Sequence, residues 1–395
     1  MTAALGGRAA RALWILLGAG AVLRLAIAFT TYGVGFDVDA YSIVRAGLAE
    51  DPLHVYGDFD RWPYPPGYFA WILVSGWLEG LTPVAFHDLI QLPAIAADLA
   101  LAWIVQHVLG RRGHGERARL TAAACVALGP VFLAVSGYHG QIDSLALLPA
   151  VLGVALWEKP EVRRRALKAG LLIGIGGVIK TVPLVAVLAL LPHVRSRAEA
   201  VTLIAAATAP FVIAFAPFAL SDPAGVETAL RYRGVPGAGG ISLLAQPQLA
   251  RRWMEDIEIE ASGLTLLLAE AGGLITAVAL ALAVWLLFRC RPPAAVGAAL
   301  LFLILWAFGV NFFLQYVLWC LPFLLLAGYY REVMAAQAVA LPALVLVYLR
   351  PWESIFPAYC FLVAQAALLA VGVLGVVALA RRIARAEPER AVPPP

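Results

Sequence analysis

The chain has 395 residues, of which 62% are hydrophobic and only 14% are charged. These proportions lie outside the range of soluble globular domains, so a soluble enzyme is excluded as the first expectation. The net charge of +4 comes from short arginine clusters and not from an extended basic tract, which argues against nucleic-acid binding. The composition predicts an all-α, polytopic integral membrane protein, with one transmembrane domain over 1–385 and a disordered tail over 386–395.

The first apolar run, 13–31, predicts a retained transmembrane helix. It contains Arg24 and lacks a small-residue cleavage site, so a signal peptide is not favoured. Arg8 and Arg11 precede it, and basic flanking residues favour the cytoplasmic side of a membrane. The four cysteines are scattered without CxxC spacing, so we expect neither a disulfide framework nor a zinc site.

Further apolar runs follow along the whole chain. A hydrocarbon core of roughly 30 Å requires about 20 apolar residues per helix. The candidate spans are 10–32, 67–81, 86–109, 119–136, 143–157, 168–192, 199–220, 264–288, 294–311, 314–328, 333–349 and 358–380. They predict about 11 to 13 transmembrane helices. The basic connectors should face the cytoplasm, which leaves two polar loops, 33–66 and 221–262, outside and carrying short interfacial helices.

The number of early spans conflicts with the positions of the basic connectors. With a cytoplasmic N-terminus, three spans before the basic segment 111–119 would place that segment outside. One piece of 67–110 is therefore expected to be re-entrant or merged with its neighbour. The run 168–192 has basic groups at both ends and Lys180 near its middle, so we read it as two short helices that meet at IKTVP.

The first outer loop contains a pair of carboxylates, Asp37 and Asp39. Beside the headgroup layer they could act as a base or bind a cation. Tyr41, Val44 and Leu48 follow at helical spacing, which predicts a short interfacial helix that would hold the carboxylates at the membrane surface. The ordinary alternative, which suits Asp39 better than Asp37, is a helix N-cap.

Aromatic and polar side chains mark two further segments. RWPYPPGYFAW places Tyr64 before a Pro-Pro step, which suits either a substrate-shaping wall or an aromatic belt at a helix start. SGYHGQIDSLALLP supplies His139, Gln141 and Asp143 in a turn between two apolar runs. A buried histidine is often simply hydrogen-bonded, so the amide and the carboxylate are the more specific signals for a polar site.

Three cations are candidates for binding a phosphate. Lys180 lies among apolar residues, where an ammonium must be paired, be deprotonated or extend to the membrane surface. Arg231 and Arg233 lie in the second outer loop. A lipid-linked phosphate would pair with such groups, whereas solvated loop arginines are the ordinary alternative.

Several of these segments, in this order, resemble the multi-spanning GT-C glycosyltransferases, particularly bacterial relatives of the mannosyl- and glucosyltransferases that use polyprenyl-phosphate sugars. The segments are FDVDAY, YPPGYFAW, VSGYHGQIDSLALLP, GGVIKTVPLV and VNFFLQYVLWCLPFLLL. The resemblance covers about 10–330 and makes the predicted domain GT-C-like. Tyr138 and His139 stand where relatives often carry a tryptophan, so the resemblance leaves the sugar open.

The resemblance implies an inverting transfer of a hexose, with mannose as the first expectation, from a polyprenyl-phosphate donor at an extracytoplasmic site. Asp37 matches the first-loop aspartate that deprotonates the acceptor, and Asp39 is the alternative match. The resemblance implies donor phosphate binding by Lys180, and we add Arg231 and Arg233 as candidates. It also implies substrate contacts for Tyr64, Gln141, Asp143, Gln315 and Tyr316, to which the turn adds His139.

The predicted partners are the lipid-linked donor, a glycan, lipid or protein acceptor and the bilayer of the cell (inner) membrane. No cofactor is required, because the donor carries one phosphate whose charge basic residues can offset; a divalent cation bridging Asp37 and Asp39 is the alternative. The competing class is a secondary transporter or lipid flippase, in which the intramembrane ionisable groups would relay protons or ions. Against it, the chain shows no paired halves with matching broken helices.

Overall fold

A computed structural model describes residues 5–58, 62–159, 161–232, 234–254, 258–349 and 358–391. These residues form helices joined by short loops, and none of them lies in a β-strand. The predicted all-α class is confirmed. The chain divides into two compact units: unit 1 comprises Met1–Val187 and Arg195–Tyr232, and unit 2 comprises Leu188–Val194 and Arg233–Pro395.

The longer helices of unit 1 are labelled α1–α8. They are α1 Gly7–Thr30, α2 Gly35–Glu50, α3 Phe69–Leu81, α4 Leu92–Arg111, α5 Glu116–Ala127, α6 Asp143–Trp157, α7 Arg165–Ile179 and α8 Arg197–Ser221. Shorter helical segments are Val55–Asp58, Pro66–Tyr68, Phe86–Leu89, Pro130–Phe132, the π-helical Leu133–His139, Val182–Val185, Ala186–Leu190 and Pro223–Leu230. Most of the longer helices match apolar runs read from the sequence.

Helix α7 packs against both α6 and α8. Small residues make this close packing feasible: a Cβ atom on Gly170 or Gly174 would lie 2.6 Å from a backbone oxygen of α8. Small residues at helix interfaces are typical of membrane bundles, where backbones must approach closely to gain van der Waals contact. The glycines of α7 therefore allow α7 to pack closely against α8, and Lys180 follows directly after the last residue of α7.

A charged pair lies inside the bundle of unit 1. The Arg24 guanidinium, fully buried in α1, donates to Asp98 of α4 at 2.9 Å and to Ser136 at 3.2 Å. It also donates to the backbone oxygens of Gly20, Ala127 and Val126. An arginine in a transmembrane run is costly unless its donors are satisfied, and these contacts satisfy them.

Helix α3 covers most of the predicted span 67–81. It has 13 residues, so it is about 20 Å long and shorter than a hydrocarbon core. It packs along α2, where Arg45 forms a 2.6 Å ion pair with Glu79. The predicted span 67–81 is thus a short helix beside the first loop, and the next long apolar segment is Phe86–Arg111.

The predicted break at IKTVP is confirmed. Helix α7 ends at Ile179, and Lys180 has extended backbone angles, φ −151° and ψ 139°. A 3₁₀ turn, Val182–Val185, follows at once. Pro183 cannot donate a backbone hydrogen bond, which favours a helix restart at this point over a continuous helix.

The longer helices of unit 2 are α9 Leu264–Cys290, α10 Ala294–Phe308, α11 Tyr330–Leu344 and α12 Ala358–Ala391. Shorter segments are Leu191–His193, Gly240–Ala245, Pro247–Leu249, Ala250–Met254, Leu314–Trp319, Leu321–Leu326 and Val345–Leu349. Helix α10 packs against α9, α12 and Leu321–Leu326, and the Phe302 and Phe323 rings stack at 4.3 Å within this core.

Among the described residues, seven helices are long and apolar enough to cross a membrane, and four further apolar helices have 10–17 residues. The polytopic membrane character is confirmed. The number of 11 to 13 crossings and the single domain over 1–385 stay predictions. The predicted disordered tail, 386–395, also stays a prediction, and its residues 392–395 lie outside the described part of the chain.

Candidate active site

Four chain segments of unit 1 meet where helices begin and end. They are the first turn of α2 with Asp37, the turn after the π-helix with His139 and Gln141, the start of α6 with Asp143, and the end of α7 with Lys180. Helix ends leave backbone groups without intrahelical partners, so polar side chains are favoured there even within a membrane protein. The structure thereby brings together residues from three predicted motifs.

Asp37 occupies the third position of α2, whose N-cap is Val34. Its carboxylate therefore interacts favourably with the positive end of the helix dipole. Asp37 Oδ2 contacts Nε2 of His139, and 26% of the aspartate side chain remains exposed. Burial raises the pKa of Asp37, but His139, Lys180 and the Gln141 amide favour the carboxylate, and the net pKa lies below the ordinary value.

The backbone after the π-helix fixes the polar turn. Gly140 has φ +77°, a left-handed conformation that glycine adopts without steric cost. The Gln141 N–H donates to the oxygen of Val135 at 3.0 Å, and the Tyr41 hydroxyl donates to the oxygen of Gly140 at 3.0 Å. These bonds hold His139 and Gln141 on either side of the glycine.

Lys180 is paired inside unit 1. Its Nζ donates to Oδ1 of Asp143 at 2.8 Å, with side-chain exposures of 5% and 0%. The same nitrogen lies 4.6 Å from the centre of the Tyr64 ring, within cation–π range. Gly67 allows the YPP segment to approach α7, because a Cβ there would lie 2.6 Å from the oxygen of Val178.

Gln141 links the aspartate to the aromatic wall. It is almost fully buried, and its amide lowers the pKa of Asp37 and opposes the rise in the pKa of Tyr64. Burial and the carboxylates of Asp37 and Asp143 raise the pKa of Tyr64, so its hydroxyl stays protonated. The site thus combines a partly open carboxylate, a buried ammonium, an amide and a phenol.

Asp39 points away from this group. It is exposed, and one of its carboxylate oxygens accepts a 2.7 Å hydrogen bond from the hydroxyl of Tyr32. Residues two positions apart lie about 200° apart around a helix, which separates the side chains of Asp37 and Asp39. Asp39 lies within α2 and does not cap it. Among the described residues, no group of three or more metal-binding side chains occurs.

The remaining predicted site residues are Arg231, Arg233, Gln315 and Tyr316. Arg231 is exposed and forms an ion pair with Glu227, and Arg233 lies outside the described residues. Gln315 and Tyr316 belong to unit 2, in the 3₁₀ segment Leu314–Trp319. Gln315 is 4% exposed, and the Tyr316 ring stacks on Trp319 at 4.1 Å.

Sequence reasoning missed the role of Tyr41. Its spacing with Val44 and Leu48 suggested only an apolar stripe, and all three are indeed buried. The Tyr41 hydroxyl nevertheless anchors the Gly140 turn, and its ring lies 5.8 Å from that of Tyr68. The usable signal was that a buried tyrosine hydroxyl usually requires a hydrogen-bond partner.

A family model, glycosyltransferase family 87, matches residues 62–310, which is more than half of the chain. The chain belongs to glycosyltransferase family 87. This is a family of polytopic membrane enzymes of the GT-C type, so the predicted GT-C resemblance is confirmed. The match includes Tyr64, the polar turn and Lys180. No curated protein matches the chain significantly.

The family assignment makes the protein a membrane glycosyltransferase. It supports a transferase and not the secondary transporter or flippase considered from the sequence. A membrane glycosyltransferase requires a sugar donor, an acceptor and a lipid bilayer, so these partner classes follow from membership.

Proposed function

We propose that the protein transfers a hexose, with mannose as the first candidate, from a polyprenyl-phosphate donor to a glycan, lipid or protein acceptor. Asp37 is the general base, and the anomeric configuration inverts. The observation that carries this proposal is the partly exposed Asp37 carboxylate, held by His139 and near the buried cation Lys180. A base and a nearby cation are the two groups that an attack on an anomeric carbon requires.

The proposed reaction is a single displacement. The acceptor oxygen forms a bond to the anomeric carbon while the bond from that carbon to the phosphate oxygen breaks. The acceptor proton passes to Asp37, and the polyprenyl phosphate leaves with its charge offset by Lys180. Arg231 and Arg233 are proposed as further phosphate contacts, and Tyr64, Gln141 and Asp143 as residues that shape the substrate site.

We place Gln315 and Tyr316 in the proposal as substrate contacts as well, and Asp39 as the alternative base. The geometry of unit 1 favours Asp37 over Asp39, because Asp37 contacts His139 whereas Asp39 accepts a hydrogen bond from Tyr32. The proposal requires no divalent cation, because the donor has one phosphate for which basic residues can compensate.

The proposed site faces the extracytoplasmic side of the cell membrane. If α3 does not cross the membrane, α1 runs from the cytoplasmic to the outer side. Residues 86–111 then return to the cytoplasmic side, where the basic segment 111–119 follows. Residues 116–139 then lead out to the polar turn, and α6 returns to the basic residues before α7. Helix α7 leads out again to Lys180. This path supports a common outer location for Asp37, His139, Asp143 and Lys180, with all the basic connectors of unit 1 inside.

The test is transfer of radiolabelled mannose from polyprenyl-phosphate-mannose to endogenous acceptors in membranes that contain the full chain. Asp37→Asn should lower the rate by about 10²–10⁴-fold, the usual contribution of a general base. Asp51→Asn is the matched control, because Asp51 is exposed and pairs only locally with His54. Polyprenyl-phosphate-glucose and a nucleotide sugar serve as alternative donors. Transfer only from the nucleotide sugar, or full activity in Asp37→Asn, contradicts the proposal.

A further inference from the structure

His139 has no exposed surface, although the sequence suggested that it contacts substrate. Its Nε2 lies against Oδ2 of Asp37, and Asp37 is the member of the pair that keeps exposed surface. An acceptor entering the site would therefore meet the carboxylate before the imidazole. Asp37 can therefore touch the acceptor, whereas the fully buried His139 can act on the acceptor only through Asp37.

The backbone holds the imidazole at the carboxylate from a segment 102 residues away in sequence. His139 is the last residue of the π-helix and precedes the left-handed Gly140. The Tyr41 hydroxyl bonds to the oxygen of Gly140, and Tyr41 lies on the same helix as Asp37. The helix that carries the carboxylate is thus tied to the turn that carries the imidazole by two separate contacts.

We propose that His139 is a positioning residue that donates its Nε2–H to Oδ2 of Asp37 and leaves the other carboxylate oxygen to accept the proton of the acceptor hydroxyl. This inference rests on the proposed function. During transfer the acceptor proton moves to Asp37, the new glycosidic bond forms and the bond to the phosphate breaks. His139 keeps its own proton throughout, so it orients the base without becoming the base.

Other polar groups besides His139 also surround the Asp37 carboxylate and influence its pKa. Lys180 and the Gln141 amide favour the ionised form of Asp37. The other titratable groups near this carboxylate are Tyr41, Tyr64, Tyr232 and Asp143. Of the described groups that lower the pKa of Asp37, His139 has the largest effect. His139 lowers this pKa first through its charge and then through its hydrogen bond, so its loss should move the acid limb of the rate profile to higher pH.

The experiment measures the rate of mannose transfer from polyprenyl-phosphate-mannose against pH and donor concentration, in membranes with the full chain. His139→Phe keeps a ring but removes the donor. We expect a decrease of about 10- to 100-fold at saturating donor, an unchanged KM and an acid limb at higher pH. His139→Gln places an amide N–H where Nε2 was and should recover most of the rate. His87→Phe is the matched control and should behave like the wild type, because His87 pairs with Asp88.

Three results would overturn the inference. A raised KM in His139→Phe with an unchanged saturating rate and acid limb would make His139 a substrate contact. An equal loss in both variants without a shift of the limb would reduce it to packing. If His139→Phe does not accumulate in membranes, the transfer rate of folded His139→Gln tests the inference instead. A decrease of that rate by more than about tenfold contradicts the inference. Full activity of Asp37→Asn would instead refute the proposed function itself, so the two failures are distinguishable.

Discussion

Unit 1 contains two groups of buried charges that resemble each other in the sequence and differ in the structure. Arg24 and Asp98 are both fully buried, and the guanidinium donates to a carboxylate, a hydroxyl and three backbone oxygens. The second group surrounds Asp37 at the ends of the helices. There the cation Lys180 is buried and paired, but 26% of the Asp37 side chain stays exposed.

The difference shows how a charged side chain in a membrane protein can be assigned a structural role or a catalytic role. A charge that is fully buried against partners inside the protein stabilises the bundle and has no exposed atom with which to meet a substrate. A carboxylate held on one oxygen and open on its remaining surface can accept a proton. The exposed surface of one member of a paired group is therefore more informative about function than the presence of the charge.

The largest expected effect on stability comes from breaking the closed pair. Arg24→Leu leaves the Asp98 carboxylate buried without its cation and should lower the free energy of unfolding by about 3–5 kcal/mol. Thermal unfolding of the detergent-solubilised protein measures this. The double variant Arg24→Leu/Asp98→Leu should recover much of the loss. A stable Arg24→Leu protein that has lost only sugar transfer would contradict the structural role of this pair.

The Lys180–Asp143 pair should combine both roles. Lys180→Met leaves the buried Asp143 carboxylate without its cation and should destabilise the protein by about 3 kcal/mol, the lower end of the range for breaking a buried pair. Adding Asp143→Leu should restore stability because no buried charge is left unpaired. We expect sugar transfer to stay low in the double variant. Recovery of both stability and transfer would show that Lys180 serves packing alone.

The pH dependence of transfer should follow the ionisation of Asp37. Because its pKa is below the ordinary value, the carboxylate stays ionised at neutral pH, and activity should fall only as pH drops through this lowered pKa. Lys180→Met removes one of the positive groups and should move the acid limb of its residual activity to higher pH. Rates measured between acidic and neutral pH check this, and an unshifted limb would show that Lys180 does not act on Asp37.

The smallest expected effect concerns the ring beneath Lys180. Tyr64→Leu removes the cation–π contact at 4.6 Å and should cost about 0.5–2 kcal/mol in stability. Tyr64→Phe keeps the ring and loses only the hydroxyl that faces Gln141, so it should be the milder change for stability. Unfolding measurements compare the two, and an equal cost would mean that the ring face contributes nothing.

Much of the fold could be predicted because apolar run length and flanking arginines are local signals. The break at Lys180 was also local, since Lys180 lies near the middle of the apolar run 168–192 and Pro183 follows three residues later. The packing of helix α3 was not predictable, because its 13 apolar-rich residues do not indicate which helix they pack against. That packing partner, α2, is not visible in the sequence of α3 itself.

The candidate site was predictable as a set of residues but not as a geometry. Asp37 is the first match to the family's aspartate and Asp39 the alternative, but the sequence does not show that the first turn of α2 brings Asp37 to the polar turn. The sequence predicts Asp143 as a substrate contact but does not reveal its pairing with Lys180, 37 residues further on. Such long-range pairings depend on how the helices pack.

The most direct measurement compares Asp37→Asn with Asp39→Asn in purified, lipid-reconstituted protein supplied with polyprenyl-phosphate-mannose and an acceptor extract. Both variants remove one negative charge from the same helix, so each is the control for the other. We expect Asp37→Asn to transfer sugar about 10²–10⁴ times more slowly than wild type, while Asp39→Asn stays within a few-fold of it. Equal rates in the two variants, or a greater loss in Asp39→Asn, would contradict the assignment of the base to position 37.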